Sequence, residues 1–234
     1  MPEIEGLIVT SNQTSALLKP FSAILFDLDG TLVDTAPDLA FALNTLLKQE
    51  GLNPLAYDLI RPEASNGSPG LLFLGFGISP DHKDYPSLQQ RFIKLYQDNI
   101  TRESALFDGM EEVLSTLENA KIPWGIVTNK PAFLTEPLLV QLNLTHRAGC
   151  IVSADTTPFS KPHPAPMFHA CEVIQQKPEQ CLYIGDAARD IEAGKNAKMQ
   201  TIAALYGYIA NDDNPQHWQA DSSIHHPRDI LQWL

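Results

Sequence analysis

"FDLDGTLVDT", residues Phe26–Thr35, sets Asp27 and Asp29 two positions apart on a Gly-Thr turn, directly after the apolar run "AILF". A run that is apolar without alternation and ends in turn residues reads as a strand covered on both faces, as in a parallel sheet. The same signature recurs in "WGIVT" from Trp124, "CIVSA" from Cys150, "CLYIG" from Cys181 and "TIAALY" from Thr201. Helix-length segments with apolar residues three and four apart lie between the later runs, at Met110–Ala120, Phe133–Leu144, Ala165–Gln176 and Arg189–Ala197. This alternation predicts an α/β fold with a Rossmann-like doubly wound parallel sheet as its core.

Residues 36–102 break the rhythm. They hold two helix patterns, "DLAFALNTLLKQEG" and "SLQQRFIKLYQDNI", with the Gly-Pro-rich "SNGSPG" between them and no buried strand pattern. The expected organisation is an N-terminal extension (1–20), a catalytic core (21–35 and 103–234) and a small helical cap domain (36–102) inserted after the first core strand. One extra strand is expected near Leu7–Thr10.

Composition narrows the function. With 16 basic and 28 acidic residues, the formal net charge of -12 argues against nucleic acid or an anionic membrane as partner. An anionic substrate then needs local cations or a metal to reverse the field. Cys150, Cys171 and Cys181 are odd in number and have no CxxC spacing, so they read as ordinary buried thiols in a reducing compartment. No stretch reaches membrane-spanning length, and Glu3 and Glu5 stand where a secretory signal carries basic residues. The expectation is a cytoplasmic protein.

Core strands end in polar clusters: "DLDGT", "TNKP" and "GDAARD". Open α/β sheets bind ligands at the carboxyl ends of their strands, so these clusters should converge. Asp27 and Asp29 are too close for both to ionise in a dry site without a cation, and an oxygen-rich set completed by Asp186 suits Mg²⁺. Asp27 is the candidate nucleophile, forming an acyl-phosphate, and Asp29 the acid that protonates the leaving oxygen and later activates water. Gly30 permits the turn, and the Thr31 hydroxyl can fix the loop and is a candidate substrate contact. Thr128 and Asn129 are placed to hold phosphoryl oxygens. Lys161, in "SKPHPAP", supplies positive charge beside the nucleophile, and Asp190 orients Lys161 or a metal-bound water.

In that order, "DLDGT", "TNK", "KP" and "GDAARD" resemble the four signature motifs of the haloacid dehalogenase-like hydrolase superfamily. The resemblance runs from about residue 20 to the end and implies a Rossmann-like core, Mg²⁺, an aspartyl-phosphate and a helical cap. Within it, "TLVDTAPDL" and "VTNKP" are similar to phosphoglycolate phosphatases. The tail "YGYIANDDNPQHWQADSSIHHPRDIL" is similar to N-acetylmuramic acid 6-phosphate phosphatases of cell-wall recycling. Both readings imply a small phosphorylated metabolite as partner; they share their chemistry and differ in the alcohol released. A dehalogenase would not need Asp29, whereas a mutase or a catalytically silent relative must be separated by product analysis.

Other residues have plainer readings. Asp34 is expected to cap the first helix of the insert. "SNGSPG" reads as a flexible loop, with Asn66 and Gly67 as candidate substrate contacts if it reaches the site. His163, His225 and His226 read as turn residues, and Tyr206, Tyr208 and Trp218 as packing near one wall of the cleft.

Overall fold

The structure, a computed structural model, describes Leu18 and residues 20–234. The strand expected near Leu7–Thr10 lies outside the described residues.

Among the described residues, eight strands form two sheets. They are β1 (Ala23–Phe26), β2 (Val33–Asp34), β3 (Ala105–Leu106), β4 (Trp124–Val127), β5 (Ile151–Val152), β6 (Cys181–Gly185), β7 (Gln200–Ala204) and β8 (Ser222–Ile224). Six of them make a parallel sheet in the order β5-β4-β1-β6-β7-β8, and β2 and β3 pair antiparallel in a separate ribbon. The five apolar runs of the sequence are the five strands β1 and β4 to β7. The ribbon and β8 are additions, each too short or too polar to stand out.

Alternation along β1 shows why its run is apolar throughout. Ile24 and Phe26 join one buried cluster, while Ala23 and Leu25 join another on the opposite face. The helices are α1 (Ala36–Gln49), α2 (Tyr57–Ile60), α3 (Gly67–Phe76), α4 (Tyr85–Gln97), α5 (Met110–Asn119), α6 (Ala132–Gln141), α7 (Ala165–Val173) and α8 (Ala188–Asn196). Leu114 and Leu117 of α5 and Leu138 of α6 cover the first face; Met167 and Ala170 of α7 and Ala193 of α8 cover the second. The longest of these helices has 14 residues, and among the described residues no helix is long and apolar enough to cross a membrane.

Between β2 and β3 the chain forms α1 to α4 and no strand. The insert shares its apolar interior with the sheet: Leu43, Leu71, Phe92 and Tyr96 belong to the same buried cluster as Phe26. Asp38, fully buried near the start of α1, accepts hydrogen bonds from the backbone N–H groups of Glu103 and Ser104 and from Ser104 Oγ. This ties the outgoing connection to the returning one.

Two expectations about the insert change. "SNGSPG" is not a loop: a 3₁₀ turn over Arg61–Asn66 runs into α3, with Gly67 at the joint in a positive-φ conformation (φ 59°) and Pro69 in the first turn of α3, where a missing N–H is tolerated. Asp34 does not cap α1, whose N-terminal residue Thr35 makes no side-chain capping bond either. The backbone N–H groups of Thr35 and Ala36 donate instead to Tyr208 Oη, at 2.6 and 2.9 Å, and that hydroxyl donates to Asp34 Oδ1 at 2.6 Å. A distant tyrosine satisfies the helix end, and Asp34 acts through it.

Candidate active site

Register brings the polar clusters to one edge. Phe26 pairs with Ile126 on one side and Ile184 on the other, so Asp27, the segment after β4 and Asp186 leave the sheet at the same level. One ligand oxygen from each of Asp27, Asp186 and Asp190 lies within 4.8 Å of the other two, and all three residues are buried.

Lys161 stands inside this group. Its Nζ lies 2.8 Å from Asp27 Oδ1 and 2.7 Å from Asp190 Oδ1, and it donates to Val127 O and Tyr183 Oη. The backbone on which Lys161 sits is held by Asn129, whose amide accepts from Lys161 N and donates to Lys161 O. Asn129 therefore uses its side chain on Lys161. Thr128 Oγ1 accepts from Lys130 N, and its side chain lines the cavity described below, leaving the hydroxyl proton for a ligand.

Asp186 accepts from Thr31 Oγ1 at 3.2 Å, from Tyr208 N at 2.8 Å and from Ser65 Oγ of the insert at 3.0 Å. The Thr31 hydroxyl, a candidate substrate contact in the sequence, is spent on the carboxylate that follows β6 and ties the turn to it. Gly30 has φ 85°, and a Cβ there would come within 2.1 Å of Asp186 Oδ2, so close approach as well as turn geometry requires glycine.

The electrostatics ask for a cation. Burial, then Asp190, pushes Asp27 up to about 6 against the pull of Lys161. Burial, then Asp27 and Asp190, pushes Asp186 up to about 7. Burial works against the charge of Lys161, but Asp190 and Asp27 outweigh it and raise its pKa. Lys161 and Arg189, the two cations facing the group, do not balance three buried carboxylates. Asp27 Oδ1 also has no hydrogen bond despite its charge contact with Lys161, the Lys161 donors being directed elsewhere. A compact oxygen-donor set with an oxygen left without a hydrogen bond fits Mg²⁺.

Asp29 lies outside that trio. Its Oδ1 accepts from Thr35 Oγ1 at 2.6 Å and from Lys130 Nζ at 2.8 Å, and the residue faces a cavity of about 600 Å³ between sheet and insert. Asp27, Thr128, Asn129 and Arg189 form the floor of the cavity, and Asn66, Gly67, Ser68, Gln89, Phe92 and Ile93 form part of its roof. The two insert residues singled out in the sequence, Asn66 and Gly67, are both in that wall.

Four contributors escaped the sequence reading. Lys130, next to Asn129, and Arg189, next to Asp190, sat inside quoted motifs as cations with no assigned partner. Arg189 donates to Ser65 O at 2.7 Å, and Ser65 belongs to the stretch read as a loop. Arg61 reaches from the insert to the carbonyls of Tyr206 and Gly207, with its guanidinium 5.0 Å above the Tyr208 ring. Tyr206, Tyr208 and Trp218 were read as packing, but Tyr208 is also a polar junction between Asp186 and the start of α1. By contrast His163, stacked on Phe159, and His226, beside Asp108, behave as turn residues, and the three cysteines are free and buried.

Residues 24–204 match the family model described as haloacid dehalogenase-like hydrolase. The chain belongs to that family. An N-acetylmuramic acid 6-phosphate phosphatase from Pseudomonas aeruginosa is 39% identical over 91% of this chain and 94% of its own. A phosphoglycolate phosphatase from Xanthomonas campestris is 41% identical over 90% of this chain and 95% of its own. Among solved structures, a predicted phosphoglycolate phosphatase from Haemophilus somnus superposes with a TM-score of 0.80 at 29% identity, covering 91% of this chain and 97% of that one.

Proposed function

We propose that this hydrolase is a Mg²⁺-dependent phosphatase that works through an aspartyl-phosphate on Asp27, with residues 36–102 as a cap over a core of 21–35 and 103–234. The observation that carries the reading is the buried Asp27–Lys161–Asp190 arrangement beside Asp186, at the strand ends and open to a cavity. Asp27, Asp186 and Asp190 would supply the carboxylates that hold the metal. The Asp29 side chain, engaged by Lys130 and Thr35, would not be among them.

When bound, Mg²⁺ supplies positive charge against the phosphoryl oxygens and the Asp27 carboxylate. The chain does the rest. A carboxylate oxygen of Asp27 forms a bond to phosphorus as the ester P–O bond breaks, and the departing oxygen takes its electron pair and a proton from Asp29. Water, losing a proton to Asp29, then attacks the same phosphorus; the bond to Asp27 breaks and orthophosphate leaves. Lys161 offsets charge on the nucleophile, and the Thr128 hydroxyl donates to a phosphoryl oxygen.

The cavity favours a sugar-sized alcohol over a two-carbon acid. Its volume of about 600 Å³ exceeds what a phosphoglycolate fills, and the insert lines it with neutral Asn66, Ser68 and Gln89 and apolar Phe92 and Ile93, a mixed wall suited to a sugar ring and its amide. This supports the N-acetylmuramic acid 6-phosphate reading over the phosphoglycolate one. Phosphate release from both compounds and from p-nitrophenyl phosphate, with and without Mg²⁺, tests the proposal. A hundredfold preference in kcat/KM, about 2.7 kcal/mol in transition-state binding, decides the substrate. A folded protein that releases no phosphate from any of them ends the phosphatase reading.

A further inference from the structure

Lys130 is a buried cation with no part in the chemistry above. It leaves the segment after β4 and ends between two elements: its Nζ donates to Asp29 Oδ1 at 2.8 Å and to Tyr96 Oη, on α4 of the insert, at 2.9 Å. The same ammonium lies 4.5 Å from the Tyr96 ring centroid. Its side chain is 7% exposed, against 17% for Asp29. Burial opposes its charge, but Asp29 and Tyr96 outweigh that cost and hold it protonated.

Both donors to Asp29, the ammonium of Lys130 and the hydroxyl of Thr35, converge on Oδ1. Oδ2 has no hydrogen-bond partner among the described residues, and Asp29 faces the cavity. A carboxyl group held this way keeps one oxygen as a fixed acceptor and leaves the other to carry or receive a proton. We infer that Lys130, steadied by Tyr96, is a positioning residue that fixes the Asp29 carboxyl group with Oδ2 toward the leaving oxygen, so that the insert helps set proton delivery. This rests on the reading of Asp29 as the acid. The step it serves balances as before: the P–O bond breaks, its electron pair stays on the alcohol oxygen, and the proton on Asp29 moves there.

Leaving-group dependence tests the inference, because p-nitrophenolate departs without a proton whereas an alkoxide does not. With Mg²⁺ present, kcat/KM, which reports the first phosphoryl transfer, is measured on p-nitrophenyl phosphate and on an alkyl phosphate for wild type, Asp29→Asn, Lys130→Met, Lys130→Arg and Tyr96→Phe. Asp29→Asn and Lys130→Met should each lose roughly tenfold or more additional activity on the alkyl ester relative to the aryl ester. Lys130→Arg should recover part of that excess, and Tyr96→Phe should shift it a few-fold in the same direction. Equal losses on the two esters for Lys130→Met, with the bias intact in Asp29→Asn, would overturn the role of Lys130 alone. No bias in Asp29→Asn would remove the acid role of Asp29 and the inference with it. If Lys130→Met does not fold, the bias in Lys130→Arg and Tyr96→Phe decides, and its absence from both overturns the inference.

Discussion

Asn129 and Lys161 exchange two hydrogen bonds, side chain to backbone in both directions, at 2.9 and 3.0 Å. The amide closes the segment before Pro162 onto the end of β4, which keeps Lys161 Nζ aimed at Asp27. Asn129→Ala should lower kcat by about tenfold or more with a smaller change in KM, since a displaced charge weakens transition-state stabilisation first. Asn129→Asp keeps the acceptor, loses the donor and should fall between. Steady-state kinetics on one ester checks the order.

Asp190 pairs with Lys161 where both side chains are fully buried. It also accepts from Ala187 N, closing the first turn of α8. Removing that negative charge leaves Lys161 with Asp27 as its remaining ion-pair partner and weakens a buried charge-assisted hydrogen bond, a loss of about 1–3 kcal/mol. Asp190→Asn should therefore lower the urea midpoint strongly as well as activity, and an unchanged midpoint would contradict the pairing.

Stability should depend on pH in a direction opposite to that of ordinary salt-bridged carboxylates. Asp27 and Asp186 are raised to about 6 and about 7, chiefly by burial. Between pH about 4 and about 7 the folded state holds protons that the unfolded chain has released, so stability falls as pH rises through that window. Mg²⁺ at the cluster replaces the proton as the compensating charge. With a chelator present, Tm should drop between pH about 5 and about 7.5; with Mg²⁺ the drop should shrink, and the Mg²⁺-induced rise in Tm should be larger at the higher pH.

Tyr208→Phe keeps the ring and deletes one oxygen. That oxygen serves the N–H groups of Thr35 and Ala36 and the carboxylate of Asp34. Leaving buried donors unsatisfied costs about 1–3 kcal/mol, so a lowered Tm with little change in the spectrum of the folded state is the expected outcome.

The central sheet was legible because its strands are buried on both faces, and that burial writes an unbroken apolar run into each of them. The candidates Asp27, Asp29 and Asp186 stood out because a polar cluster follows their apolar runs, and Lys161 because it is the cation of "SKPHPAP". What escaped depends on contacts between distant segments. β8 is "SSI" in a polar tail, recognisable only by its partner β7. Lys130 was visible as a residue in "TNKP", but its meaning comes from Tyr96 and Asp29, which no spacing rule connects. Asp34 shows the limit from the other side: a carboxylate just before a helix suggests a cap, and the structure gives that task to Tyr208.

The position of β1 has a consequence for how the molecule is made. Ile24 pairs with Trp124 on one side and with Leu182 on the other, so the strand that leads into Asp27 leaves the ribosome well before either neighbour exists. It must wait, apolar on both faces and open on both edges, through the synthesis of the whole insert. Its second edge is closed only when β6 arrives. Nascent chains stalled before Cys181 should therefore need chaperone protection, whereas release of the segment up to β7 lets the sheet close around its oldest strand.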